Sequence, residues 1–270
     1  VGLTASLTRV GRPAVALAFA LSYISTAIAP NAVAQPPNPP AVPPAPGPVA
    51  VGPSPGPPAE VPLAAPAPAC PDVEVVFARG TTEAPGLGVM GQQFVDDLQS
   101  KLAGKSVRVY PVDYPASPDF PTAVAGIADA STRVQQTAMN CPDTKLVLGG
   151  YSQGAAVMGF VTTELIPDGV SASEVPAPMP ADIADHVAAV TLLGTPSARF
   201  MDVIQQPPVT IGELYRPKTL DLCVPNDFVC SPGNDLGAHA RYISDGLVLQ
   251  AADFAAAQVA AAPAEEDTES

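Results

Sequence analysis

The chain has 270 residues, of which 47% are apolar and only 14% charged, with 35 prolines and a formal net charge of −14. That acidity excludes a nucleic-acid partner, which would need clustered Lys and Arg against phosphate, and it sets the chain against anionic lipid surfaces. A neutral substrate fits better, and the charge also aids solubility.

Residues 1–34 carry Arg9 and Arg12, then an apolar run from Pro13 to Ala29, then Ala32-Val33-Ala34 before Gln35. This order reads as a secretory signal peptide cut after Ala34. The alternative is an uncleaved anchor, because the run sits near the lower limit of ~17–25 residues for a spanning helix. Residues 35–69 hold 15 of the 35 prolines and almost nothing that could build a core. They predict a disordered linker, which at ~3.1 Å per residue reaches up to about 100 Å and could thread or merely abut a cell wall. Residues 264–270 (AEEDTES) read as an acidic, solvated tail. Residues 70–263 remain, about 190 in all, enough for one sizeable core.

All four cysteines fall in that stretch. An even count behind a signal sequence suggests two disulfides, for which four cysteines allow three pairings. Cys223 and Cys230 are close enough to close a small loop, which leaves Cys70 with Cys141.

From Cys70 onward, short apolar runs alternate with longer amphipathic ones. Asp72–Ala78 (DVEVVFA) predicts a strand, and Met90–Leu102 a helix with Phe94, Val95, Leu98 and Leu102 on one side. Val107–Val112 predicts a strand, Thr122–Met139 a helix, Lys145–Gly149 a strand and Gln153–Leu165 a helix. Val187–Leu193 is a buried strand, Thr219–Leu222 a short last strand, and Leu236–Ala261 mostly helix. Strand and helix in alternation give an α/β fold, a five-stranded, mostly parallel sheet covered on both faces. Ligands of such sheets sit at the carboxyl ends of the strands.

At one of those ends stands Gly150-Tyr151-Ser152-Gln153-Gly154, a G-x-S-x-G pattern between a predicted strand and a predicted helix. A sharp turn there strains the serine backbone and requires small residues on either side, while the first amides of the helix face the site. Ser152 is therefore the candidate nucleophile; the bland reading is a glycine-rich turn with an incidental serine. A serine needs a base, and the chain has two histidines. His186 immediately precedes the strand Val187–Leu193, at the wrong edge of a parallel sheet, about 20 Å away at ~3.3 Å per residue. His239 follows the last strand at a loop-to-helix junction and obeys the order nucleophile, acid, base. Asp202, Glu213, Asp221, Asp227 and Asp235 lie between Ser152 and His239. A Cys223–Cys230 loop would hold Asp227 where an orienting carboxylate must not drift, which selects it.

Four motifs together resemble the cutinase family of α/β-hydrolases: FARGTTE at Phe77–Glu83, GYSQG at Gly150–Gly154, Cys223-x3-Asp227-x2-Cys230, and His239 a dozen residues on. The resemblance spans Cys70 to Ala261, and the secreted, proline-rich plan is similar to cutinase-like proteins of mycobacteria and related actinobacteria. It implies a three-layer α/β-hydrolase fold in which Ser152 attacks an ester, His239 moves the proton and Asp227 orients the ring. It also implies an oxyanion hole from Thr81 and Gln153 and the disulfides Cys70–Cys141 and Cys223–Cys230. No metal or organic cofactor is implied, and a monomer is expected. Threonine stands at position 81 where fungal members usually have serine, so a methyl group is added to the pocket. The loop Ser231–Ala238 (SPGNDLGA) is more polar than its fungal counterparts, which argues against cutin polymer and for a short or medium acyl ester. The insertion Pro167–Ala184 is a second rim candidate.

The expected activity is thus a secreted serine esterase. Lipase, phospholipase or thioesterase action on envelope lipids would use the same three residues. A non-catalytic wall-associated binding protein is the reading from another class; an intact Ser, Asp and His in order speaks against it.

Overall fold

The computed structural model of the protein describes residues 69–167 and 171–261. The expected signal peptide or anchor, the linker up to residue 68, the tail from 264 and part of the Pro167–Ala184 insertion lie outside the described residues. No helix among those described is long and apolar enough to cross a membrane.

Five parallel strands form one sheet: β1 (Val73–Ala78), β2 (Val107–Pro111), β3 (Lys145–Tyr151), β4 (Val187–Leu193) and β5 (Thr219–Leu222), in the spatial order β2-β1-β3-β4-β5. The helices are α1 (Gly88–Lys101), α2 (Val124–Asn140), α3 (Gln153–Val161), the short α4 (Ile183–His186) and α5 (Ala198–Val203), and α6 (Leu247–Ala260). Every residue of β1 is buried, as expected of a central strand covered on both faces. The period of two divides them: Val73, Val75 and Phe77 pack toward α1 and α6, whereas Val76 and Ala78 pack toward α2 and α3. The expected stripe of Phe94, Val95, Leu98 and Leu102 is buried against the first of these faces.

Several boundaries differ from the sequence reading, and four helix boundaries do so for a visible local reason. Helix α1 starts two residues early because the Glu83 carboxylate accepts the Val89 N–H at 2.7 Å. A 3-10 turn at Phe120–Ala123, opened by Pro121, takes the start of the second predicted helix. Helix α3 stops at Val161, where the Thr162 hydroxyl turns back onto the Gly159 carbonyl at 2.7 Å. The last predicted helix is broken into a 3-10 turn at Gly237–Ala240 and α6, with the left-handed Gly246 (φ 77°) between them.

Cys70 is bonded to Cys141, so the entry to β1 is tied to the end of α2, and Cys223 is bonded to Cys230. The α2 face of β1 also carries a charge, Glu74, which is fully buried. Its carboxylate accepts from Arg133 of α2, from Arg108 of β2 at 3.4 Å and from the Thr137 hydroxyl at 3.2 Å. Arg133 in turn lies over the Tyr110 ring, 4.8 Å from its centroid. A buried carboxylate stripped of its main partner is strongly destabilising, whereas an exposed pair contributes little. Arg133→Met is expected to lower the unfolding free energy by roughly 3 kcal/mol in urea titrations. Asp253→Ala, which breaks the exposed Lys101–Asp253 pair, is expected to lower it by less than about 1 kcal/mol.

Candidate active site

Strand β3 runs straight into α3, and Ser152 alone makes the turn, with φ 56° and ψ −119°. That backbone is unfavourable for a residue with a side chain and persists only where its surroundings enforce it. Here they do. A Cβ on Gly150 would lie 2.3 Å from the Gly154 carbonyl oxygen, and one on Gly154 would lie 2.0 Å from the Ala78 carbonyl oxygen of β1. The Ser152 N–H is held by the Leu193 carbonyl of β4 at 2.8 Å. The serine hydroxyl is left projecting above the carboxyl edge of the sheet.

There it meets His239. Ser152 Oγ is 2.8 Å from His239 Nε2, and His239 Nδ1 is 2.7 Å from Asp227 Oδ2. A carboxylate only accepts, so the ring proton sits on Nδ1 and Nε2 is free to accept from the serine hydroxyl. Asp227 is completely buried and saturated: Oδ1 takes the Val229 N–H at 2.8 Å, and Oδ2 also takes the Tyr242 hydroxyl at 2.8 Å. Burial, and then the hydrogen bond to Asp227, push the Tyr242 phenol far above its ordinary range, so it remains a donor.

The loop carrying Asp227 is closed several times. Beyond the disulfide, Phe228 N–H donates to the Asp235 carbonyl at 3.3 Å and Asp235 N–H to the Asn226 carbonyl at 3.1 Å. The Ser231 hydroxyl donates to the Asp227 carbonyl at 2.6 Å. Arg241, two residues after the histidine, pairs with Asp235 at 3.2 Å, and its hydrogen bond holds the Asp235 carboxyl below the ordinary range. His239 and Asp227 are thereby clasped to one another outside the hydrogen bond that joins them.

The other candidates fall elsewhere. His186 stands at the amino end of β4, its Nδ1 3.0 Å from the Pro142 carbonyl. Asp221 accepts from the Thr195 hydroxyl at 2.8 Å, Glu213 pairs with Arg216 at 2.9 Å, and Asp202 is exposed on α5.

On the opposite side of Ser152 the loop after β1 is held rigid. Buried Arg79 donates to the carbonyls of Tyr114 (2.5 Å), Glu83 (2.9 Å) and Val112 (3.4 Å), and the Glu83 carboxylate accepts the Gly80 N–H at 2.6 Å. Thr81 sits inside this clasp, and Thr81, Ser152 and Gln153 all line one cavity of about 470 Å³. Among the described residues no protein acceptor takes the Thr81 N–H or the Gln153 N–H, the latter the first helical amide of α3.

Two site residues escape a reading by motif. Tyr151 stacks on the His239 ring (centroids 5.1 Å apart, 27° between planes), and its hydroxyl donates to the His239 carbonyl at 2.7 Å. Tyr242 crosses both rings edge-on and donates its hydroxyl to Asp227. One signal was present: Tyr242 is three residues after His239, the spacing of neighbours on a helical turn.

A parallel sheet between helical layers, with a serine on the strand-to-helix turn joined to a histidine and a buried aspartate, defines an α/β-hydrolase. Residues 69–259 match the cutinase family, and the chain belongs to it; members are carboxylic ester hydrolases. Its relatives include the probable carboxylesterase Culp5 of Mycobacterium tuberculosis, 59% identical over 172 residues that cover 64% of this chain and 98% of that protein. The phospholipase Culp4 of the same organism is 46% identical over 198 residues, covering 73% and 83% respectively. Among solved structures, Trichoderma reesei cutinase in complex with a C11Y4 phosphonate inhibitor is 32% identical, with a TM-score of 0.54 over 70% of this chain and 77% of that one.

Two expectations follow from the packing. Gly154→Ala drives a methyl group into the β1 backbone, so it should lower both the melting temperature and the esterase rate; an unchanged thermal melt would contradict the close approach. Replacing Cys223 and Cys230 together by serine should cost about 2.5 kcal/mol of stability and lower kcat in the protein that still folds. Denaturant titration and active-site-normalised rates would separate the two effects.

Proposed function

We propose that the protein is a secreted serine esterase working through an acyl-enzyme, with Ser152 as nucleophile, His239 as base and acid, and Asp227 as the orienting carboxylate. The observation that supports this most is the unbroken chain from Asp227 Oδ2 to His239 (2.7 Å) to Ser152 Oγ (2.8 Å), ending in a fully buried carboxylate. His239 Nε2 takes the serine proton as Oγ bonds the ester carbonyl carbon. The oxygen that becomes anionic is received by the free N–H groups of Thr81 and Gln153, near the positive end of α3. The carbon–alkoxy bond then breaks as Nε2 returns its proton to the departing alcohol. Water repeats the sequence on the acyl-enzyme, its proton passing through His239 to restore the serine hydroxyl while the carboxylic acid leaves.

The carboxylesterase and phospholipase names of its relatives support ester chemistry, and a phosphonate on the Trichoderma enzyme mimics a tetrahedral intermediate. Arg9, Arg12, the apolar run and the Ala32-Val33-Ala34 site support export, as do two disulfides, which persist in oxidising compartments. The proline-rich stretch then serves as a spacer at the cell wall. Lipid esters are a second reading, favoured by the resemblance to the phospholipase.

Hydrolysis of p-nitrophenyl butyrate tests the proposal. Ser152→Ala and Asp227→Asn should each lower kcat by roughly 10,000-fold with the fold intact by circular dichroism. A folded Ser152→Ala protein that retains wild-type turnover would overturn it.

A further inference from the structure

The cavity beside Ser152 is one-sided. Its walls are the 3-10 turn and first turns of α2 (Phe120, Ile127), helix α3 (Phe160), the Glu174–Pro178 stretch (Val175), and α5 with its end (Phe200, Ile204). Among the described residues none of its lining comes from the region after Pro207, so the loop of Asp227 and His239 takes no part in it. Among the described residues its one charged lining residue is Glu174, which is exposed, and neither lysine, arginine nor histidine lines it.

Reaction geometry assigns the two halves of an ester to different sides of Ser152. The departing alkoxy oxygen must lie against His239 Nε2, because that nitrogen protonates it. The oxyanion occupies the Thr81 and Gln153 amides. The acyl chain takes the remaining direction, away from the histidine loop and into the cavity. The alcohol half faces the other rim, Ser231–Ala238, where the one large apolar side chain, Leu236, is 66% exposed and the flanking charges Asp235 and Arg241 are paired at the surface.

Resting on the serine-esterase reading, we infer that the substrate is an ester of asymmetric character: an unbranched, uncharged acyl chain longer than butyryl buried in this chamber, with a polar alcohol left in solvent. About 470 Å³ lies within the range of ~300–1,000 Å³ typical of ligand pockets, far more than an acetyl or butyryl group fills. A chamber without a cation does not accept a carboxylate or phosphate, so an anionic headgroup belongs on the alcohol side. This narrows the short or medium acyl ester read from the polar Ser231–Ala238 loop to chains longer than butyryl, and it puts that loop on the leaving-group side. Pro167 and Glu174–Pro178 supply one wall of the acyl side and thus help to set chain length.

The test varies the halves separately on the whole protein. First, diethyl p-nitrophenyl phosphate, too small to report on the chamber, titrates the nucleophile; if Ser152 is not labelled, the serine-esterase reading itself fails. With labelling established, kcat/KM should rise from p-nitrophenyl acetate through butyrate to octanoate, by up to about fourfold per methylene below the solubility limit. In a pH-stat, ethyl, butyl and octyl acetates should differ by less than about threefold. Ile204→Trp and Val175→Trp, on two walls and only partly buried, should each lower the octanoate-to-acetate ratio at least tenfold. A ratio cancels losses common to both substrates, so partial misfolding does not mimic the effect. A flat acyl series, or a steep alcohol series, on an enzyme that is labelled at Ser152 overturns the inference, as do two variants with unchanged ratios.

Discussion

The backbone of β1 comes so close to the turn at Ser152 that nothing larger than hydrogen fits at Gly154. That approach, measured against the Ala78 carbonyl, holds the serine in its unfavourable conformation. Because Ser152 is fixed by β1, β4 and the start of α3 together, its hydroxyl has a position set by the sheet and not by a flexible loop. The loop of Thr81 leaves the same end of β1 one residue after that contact, so Ser152 and the free amides of Thr81 and Gln153 share a single rigid platform. A preorganised site of this kind needs no rearrangement when charge develops.

The second half of the site is built on the opposite logic, a loop made rigid by cross-links. Among the described residues no strand follows β5 to position Asp227 or His239. A disulfide, a short parallel bridge, the Arg241–Asp235 pair and two tyrosines supply the order instead. Asp227 accepts three hydrogen bonds, which is what permits a carboxylate to remain fully buried. Tyr151 joins the two halves: it precedes Ser152 at the end of β3 and stacks on His239. The alcohol and acyl sides of a bound ester then differ in kind, one bordered by this polar loop and the other by helices and prolines.

Much of this was legible in the residues. The five strands could be read because each is a compact apolar run bounded by turn residues, and the parallel order follows from the helices between them. A strained turn, a short disulfide loop and a chain-order constraint single out Ser152, Asp227 and His239, and the fold brings these three within hydrogen-bond distance. What could not be read was tertiary. Tyr151 and Tyr242 act through ring packing that has no spacing signature in the motif itself. Helix ends moved where side chains such as Glu83 and Thr162 captured backbone groups. The chamber was invisible because its walls, from Phe120 to Ile204, are scattered apolar residues that look like ordinary core until the fold leaves space between them. The reading of a short or medium acyl ester rests on the polar loop before His239, because the two sides of Ser152 are told apart only in the folded chain.

The central claim is that Ser152 carries the acyl group between two half-reactions, and the most direct measurement is to catch it there. Acid quenching of the protein during turnover of p-nitrophenyl octanoate, followed by proteolysis and mass spectrometry, should find one octanoyl group per chain, on the peptide between Lys145 and Arg199 and localised to Ser152 by fragmentation. Turnover with no acylated peptide, or with the acyl group on another residue, would contradict the account.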